Sequence, residues 1–138
     1  MKVFLDANVI VSVINKEYPL FTYSARILSL IDNKKFTIYT SPLCLAIAFY
    51  FAEKKSGAAM AKKKIELLSN KIHITDLNEA CVEKAIRNNA VIDFEDGLQY
   101  YSAEQSKCQC LVTEDVDDFF FSKIEVLRSR EFMEHYVI

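Results

Sequence analysis

Strands alternating with helices along the chain predict a three-layer α/β domain, with one parallel five-stranded sheet flanked by helices. Three observations carry this. Short apolar or β-branched runs recur from one end of the chain to the other, separated by stretches with apolar residues at helical spacing. The 138 residues include only two glycines and two prolines, too few for a turn-rich β-sandwich. Hydrophobic residues make up 51% and charged residues 26%, a composition that excludes disorder as the main state. A mass of 15.9 kDa suits one core, so residues 1–138 are expected to form a single domain.

The elements follow in order. Lys2 to Leu5 is a short apolar run that suits a buried strand, and Ala7 to Asn15 reads as a short helix or turn. From Pro19 to Asn33 the residues Leu20, Tyr23, Ile27, Leu28 and Ile31 keep helical spacing. Phe36 to Tyr39 is aromatic and β-branched, which predicts the second strand. Ser41-Pro42 places a capping hydroxyl before a proline at the first helical position, and a helix through Leu45, Phe49 and Ala52 follows until Gly57. Ala58 to Ser69 is the next helix and Lys71 to Thr75 the third strand. Asp76-Leu-Asn78 starts a helix over residues 79–88, and a second helix spans residues 94–106. Cys110 to Val112 and Ile124 to Leu127 are the last strands, and Ser129 to Tyr136 closes the chain as a helix.

Charge and cysteine usage narrow the setting. A net charge of −2 rules out a basic protein that coats DNA by bulk charge. The apolar start at Val3 is interrupted by Asp6, so no signal-peptide core is read there, and no apolar stretch is long enough to span a bilayer. Cys44, Cys81, Cys108 and Cys110 form no CxxC pair, and only His73 and His135 could join them, so a structural zinc site is not expected. Reduced, buried thiols in a cytoplasm are the expectation.

Chemistry is sought at the carboxyl ends of the strands, where open parallel sheets bind ligands. Asp6 follows the first strand directly. Thr113-Glu114-Asp115 follows the fourth, with Asp117-Asp118 beyond it. Asp93, Glu95 and Asp96 crowd the start of the helix that precedes that strand. If the first and fourth strands are neighbours, expected here from a flavodoxin-like order, Asp6 and Asp115 share one rim and Asp96 can join them. Converging carboxylates repel one another and raise their pKa values unless a divalent cation relieves the cost. Mg²⁺ and Mn²⁺ prefer such hard oxygen donors and support phosphodiester cleavage. Each acid also has a structural role open to it. Asp6 and Asp93 are placed to cap the helices that follow them, Asp117 and Asp118 read as turn residues, and Glu114 as solvent-facing.

Other chemistries fit less well. A haloacid-dehalogenase-type phosphatase needs a second aspartate two positions after the first, where Asn8 stands. A phosphoacceptor receiver needs a lysine after the fifth strand, which here ends Leu127-Arg128. The basic stretches Glu53-Lys-Lys55 and Ala61-Lys-Lys-Lys-Ile-Glu66 could grip RNA phosphates or be solvated helix faces. Tyr100-Tyr101 and Phe119-Phe-Phe121 could stack on bases, but their setting favours packing.

Four segments, taken together and in order, resemble the PIN-domain family, and within it the VapC-like toxins of toxin–antitoxin pairs. They are Val3-Phe-Leu-Asp-Ala-Asn-Val-Ile10, Thr40-Ser-Pro42, Asp93-Phe-Glu-Asp-Gly-Leu-Gln-Tyr100, and Leu111-Val-Thr-Glu-Asp115 with Asp118-Phe119. The tail from Ile124 through Phe132 fits the same pattern. The resemblance implies a Mg²⁺- or Mn²⁺-dependent endoribonuclease with RNA as substrate and an antitoxin protein as partner. By motif match Asp6, Asp96 and Asp115 take the metal and catalytic positions. Asn8, Asp93, Glu95 and Thr113 support them. Pairing of toxin copies is also implied, with the helices around residues 21–30 and 43–51 as candidate faces for self-association or antitoxin. One departure stands out. The family usually has a glutamate on the helix after the second strand, whereas Leu43 to Phe49 holds no carboxylate and the nearest acid is Glu53. Restoring an acid on the Ala46–Ala48 turn, at either end of it, is the natural test. The departure keeps a second reading open, a PIN-like module that binds or regulates without cleaving.

Overall fold

The computed structural model describes residues 1–137. Its five strands are β1 (Lys2–Leu5), β2 (Thr37–Thr40), β3 (His73–Ile74), β4 (Cys110–Val112) and β5 (Glu125–Leu127). All pair in parallel, in the order β3-β2-β1-β4-β5. The first and fourth strands are therefore neighbours, as the site argument requires. The order is not the flavodoxin-like one, which would place the third strand beside the first; it is the other common doubly wound arrangement. Because connections run outward to both sides from β1, the reversal of strand order falls between β1 and β4, where a crevice opens.

Among the described residues six α-helices lie between strands and a seventh follows β5: α1 (Ala7–Ile14), α2 (Phe21–Leu28), α3 (Pro42–Ser56), α4 (Ala58–Ser69), α5 (Glu79–Arg87), α6 (Phe94–Gln105) and α7 (Ser129–Tyr136). Alternation along the strands sorts them into layers. Val3, Leu5, Ile38, Cys110 and Val112 point to one face, packing with Ile10, Ile27, Ala48, Ala52, Leu68 and Phe132 from α1, α2, α3, α4 and α7. Phe4 and Leu111 point to the other, against Tyr100 and Ala103 of α6 and the buried Phe119. Among the described residues no helix is long and apolar enough to cross a membrane.

Local chemistry explains most boundaries. Ser41 caps α3, its Oγ accepting the Cys44 N–H at 3.0 Å, and Pro42 sits at the first helical position. Gly57 ends α3 with φ of +83°, a conformation that costs glycine nothing, and lets α4 fold back along it. Asn78 caps α5 and Asp93 caps α6. Two expectations are trimmed. The helix expected over residues 19–33 is α-helical only from Phe21 to Leu28 and tightens into a 3₁₀ turn, Ser29–Asp32. The Ser29 hydroxyl donates to the Arg26 carbonyl at 2.5 Å, competing with the α-helical ladder at that point. The third strand, expected over residues 71–75, keeps two ladder residues because it is an edge with β2 as its single neighbour.

Candidate active site

Asp6 leaves the end of β1 and is almost wholly buried, with 6% of its surface exposed. It is the N-cap of α1, with Oδ1 accepting the Ala7 N–H at 2.8 Å. Its Oδ2 accepts the Thr113 hydroxyl at 2.8 Å from the neighbouring strand end. Thr113 is fully buried and uses its whole hydrogen-bonding capacity. It donates to Asp6 and accepts from Asn8 Nδ2 at 3.2 Å and from the Asp115 N–H at 3.1 Å. Asn8 closes the net, donating also to Asp115 Oδ2 at 3.1 Å and accepting the Glu114 N–H at 3.2 Å. Asp6, Asn8, Thr113 and Asp115 are thus one hydrogen-bonded unit bridging β1 and β4.

A cleft of about 430 Å³ opens over this unit. Asp6, Asn8, Asp115 and Glu114 line it from the strand ends, and Glu95 and Asp96 from the first turn of α6. Asp93 stays outside, its Oδ1 accepting the N–H groups of Glu95 at 2.9 Å and Asp96 at 3.3 Å. Its contribution is to orient the turn that carries them. Asp117 and Asp118 lie in a 3₁₀ turn, Val116–Phe119, and border a separate hollow with Asp93. Glu114 does more than face solvent: its Oε2 accepts the Ser129 N–H at 2.9 Å, satisfying the start of α7.

The electrostatics follow from burial and crowding. Desolvation pushes the Asp6 carboxyl up to about 6, with Asp115 and Glu95 adding repulsion, while the bonds from Thr113 and Ala7 pull the other way. Desolvation also pushes Asp96 up to about 7, reinforced by Asp93, Asp6, Asp118 and Asp115. No lysine or arginine lines the cleft to offset this charge.

The description "PIN domain" belongs to the family model that matches residues 2–117 of this chain. The chain belongs to the PIN-domain family. It is a VapC-like member, 32% identical over 139 residues to ribonuclease VapC1 of Aquifex aeolicus (strain VF5), an alignment covering 98% of this chain and 95% of that protein. Solved structures share the fold. VapBC-1 from nontypeable Haemophilus influenzae matches with a TM-score of 0.72 at 20% identity, covering 94% of this chain and 99% of that one. VapC20 of Mycobacterium tuberculosis, described as a Sarcin-Ricin loop cleaving toxin, matches with a TM-score of 0.69 at 17% identity, covering 90% and 98%.

In this PIN domain the cleft offers only hard oxygen donors, and they crowd together without a basic partner, which is the chemistry a Mg²⁺ or Mn²⁺ ion would relieve. Among the described residues no three His, Cys, Asp or Glu side chains are gathered into a ready-made cage. Asp6 and Asp115 are each engaged by donors of the chain instead. The donor set fits a hard divalent ion such as Mg²⁺, which Asp6, Asp96 and Asp115 would hold.

Residues that the sequence did not single out complete the cleft. Glu17 and Leu20 enter from the segment after α1, and Ile47 and Phe51 from α3. No local pattern marks Glu17 or Leu20; the return of that segment over the sheet edge puts them there. On α3 the missing-glutamate position becomes definite. Ala46 faces solvent and Ala48 is fully buried, while Ile47 between them faces the acids. Cys44, one turn earlier, approaches Asp6 Oδ1 at 3.9 Å with its sulfur, and burial pushes its thiol up to about 12. The aromatic runs pack except at Phe120, which is exposed: Tyr100 and Phe119 are buried, and Tyr100 meets Tyr101 and Phe121 edge-on. Of the two candidate partner faces, α2 keeps its apolar side chains half-buried or buried, whereas α3 leaves Tyr50 and Phe51 exposed.

Proposed function

We propose that this PIN domain is a Mg²⁺- or Mn²⁺-dependent endoribonuclease that cleaves RNA phosphodiester bonds. Its setting is the cytoplasm, as the toxin of a type II toxin–antitoxin pair with a cognate antitoxin protein as partner and pairing of toxin copies. The observation that carries the reading is the juxtaposition of Asp6, Asp96 and Asp115 on one cleft, with two of their carboxyls raised and no basic side chain beside them. The likeness to ribonuclease VapC1 over 98% of the chain supports RNA as substrate.

In this reading Asp6, Asp96 and Asp115 hold the cation. The ion supplies a polarised water and stabilisation for the charge that builds on the cleaved phosphate. The chain's own work is orientation. Thr113 holds Asp6 by one oxygen, Ala7 holds the other, and Asn8 ties Asp115 to the same hub. Asp93 fixes the turn that aims Asp96 and Glu95. Without a cation Asp6 holds its proton up to about pH 6 and Asp96 up to about pH 7, so loading the site would expel protons from mildly acidic to neutral solution and be favoured by higher pH.

The test is incubation of purified, antitoxin-free protein with total RNA, with and without Mn²⁺, beside Asp96→Asn. Cleavage that needs Mn²⁺ and vanishes in the variant is the expected result. A second reading, a PIN-like module that binds nucleic acid or protein without cleaving, is favoured by one observation: Ile47 stands at the α3 position that faces the acids. It expects no Mn²⁺ heat in calorimetry that disappears in Asp6→Asn.

A further inference from the structure

An acidic cleft repels the backbone of the RNA it would cut, so affinity has to come from outside the acids. The cleft lining holds no cation. Two lysines and two exposed aromatic rings lie together on the C-terminal half of α3, where Phe51 reaches the cleft. Phe51 lines the cleft and is 43% exposed, and Tyr50 beside it is 52% exposed. Their rings meet edge-on with centroids 5.3 Å apart. Lys54 Nζ lies 4.2 Å from the Tyr50 ring centre. On the helical wheel Phe51 falls about 40° from Ile47, with Lys54 about 60° to one side of it and Lys55 about 40° to the other. The one acid nearby, Glu53, points about 160° away from Phe51. Lys55 Nζ is bonded to the Asn15 carbonyl, which holds this end of α3 against the end of α1. Among the described residues the ion pairs are Arg128–Glu131 and Arg130–Glu134, so no acid neutralises the α3 lysines.

Exposed large aromatics on a helix that otherwise packs its small residues inward call for an occupant. Flanking lysines and continuity with the acidic cleft specify its chemistry: flat apolar faces joined by an anionic backbone. Single-stranded nucleic acid has both, and base–aromatic stacking combined with cationic contacts is how sequence-tolerant strands are held. A second copy of this chain has the flat faces but brings the same lysines, which would oppose its docking there.

We infer that Tyr50 and Phe51 form a stacking platform for an unpaired RNA base next to the scissile phosphate, with Lys54 and Lys55 taking the adjoining phosphates. The inference rests on the ribonuclease reading and adds to it the residues of this chain, at the α3 rim, that would hold an unpaired base beside the cleft. These residues touch substrate without touching the metal site, so they govern binding and positioning.

The chain contains no tryptophan, which makes Phe51→Trp a unique reporter at an exposed position. The probe is a 12-nucleotide single-stranded RNA in EDTA, with a matched RNA carrying abasic residues and a blunt RNA duplex as controls. The expected result is quenching of the Phe51→Trp emission by the single strand and much less by the abasic strand or duplex. Anisotropy with the same RNA should show Phe51→Ala binding about 5- to 100-fold more weakly. Phe51→Tyr should retain most of the affinity, and Lys54→Gln should flatten the salt dependence. Circular dichroism melts check that the variants fold, which the exposure of Phe51 favours. RNA binding with unchanged emission and unchanged Phe51→Ala affinity would overturn the platform while leaving the ribonuclease reading intact. Emission shielded in proportion to protein concentration, with a dimer in sedimentation, would assign the face to a second copy and also overturn it. Quenching without cleavage under Mn²⁺ would keep the platform and remove the nuclease. An unmodified protein that neither binds nor cleaves RNA would remove both.

Discussion

At the scale of single residues, the site depends on one hydroxyl. Thr113 is saturated: one donated bond to Asp6 and two accepted bonds from Asn8 and the Asp115 backbone. This decides how the two raised acids respond to amidation. Both have folded-state values above the ordinary 3.8, so the folded protein holds their protons more tightly than the unfolded chain does. The resulting stabilisation is complete below about pH 4. It is lost as pH rises to about 6 for Asp6 and about 7 for Asp96. At pH 8 both carboxylates are charged and destabilise the metal-free fold. Asp96→Asn removes that charge, so we expect it to stabilise the metal-free protein by about 1–2 kcal/mol at pH 8, after discounting for solvent screening. The gain should fade toward pH 4.5 in melts run in parallel with the parent. Asp6→Asn should gain much less, because an amide offers one acceptor where Ala7 and Thr113 each need one, and Thr113 cannot accept a further bond. A larger rise for Asp6→Asn than for Asp96→Asn at pH 8 would contradict this accounting.

At the scale of elements, α3 and α6 aim the site from opposite sides. The α3 register turns the missing-acid question into three variants. Ile47→Glu places a carboxylate on the cleft and should tighten Mn²⁺ binding roughly tenfold, while lowering the metal-free melting temperature. Ala46→Glu points to solvent and should change neither. Ala48→Glu buries a charge in the core and should unfold the protein or cost several kcal/mol. Titration calorimetry with Mn²⁺ distinguishes them, and equal affinities for Ile47→Glu and the parent would show that α3 gives the ion no support. On the other side, Gly97 lets α6 approach α5 closely. A Cβ there would stand 2.6 Å from Val91 Cγ1 and 3.1 Å from the Ala85 Cβ. Gly97→Ala should therefore push α6 outward next to Asp96, costing about 1–3 kcal/mol in urea denaturation and weakening metal binding along with it. An unchanged denaturation midpoint would mean that Val91 swings aside freely.

At the scale of the whole molecule, metal binding, protonation and folding are linked. Loading the proposed metal site would stabilise the folded state by mass action, about 2.7 kcal/mol at a hundredfold excess over Kd. An ion held by Asp6 and Asp96 would displace their protons, so its affinity should climb from pH 5.5 to pH 8 and level off once both are ionised. The rise in melting temperature on adding Mn²⁺ should follow the same curve and be reversed by EDTA. A shift independent of pH would place the ion away from these two acids. The four cysteines are free and buried, and burial pushes the thiols of Cys44, Cys108 and Cys110 up to about 12, so this behaviour should not depend on redox conditions.

The order of strands and helices, the caps at Ser41 and Asn78 and the break at Gly57 were legible in the sequence because each rests on local chemistry: periodicity, a capping hydroxyl or amide, a positive φ. Asp6 and Thr113 to Asp115 could be placed as well, since a polar residue directly after a buried strand has to lie at the carboxyl edge. What the chain alone left open involves rotation or return. Whether residue 46, 47 or 48 faces the acids is a matter of 100° per residue, decided by Ala48 and Ala52 packing against the sheet. Glu17 and Leu20 reach the cleft because the segment after α1 folds back over it, which no spacing encodes. Asp93 reads from the sequence as either the cap of the helix carrying Asp96 or a supporting member of the acidic cluster, and the helix start puts it at the cap while Asp96 lines the cleft. Local interactions determine which elements form and where they end. Long-range packing determines which face of each element meets the others, and a site shared by five separate segments exists only once those faces are chosen.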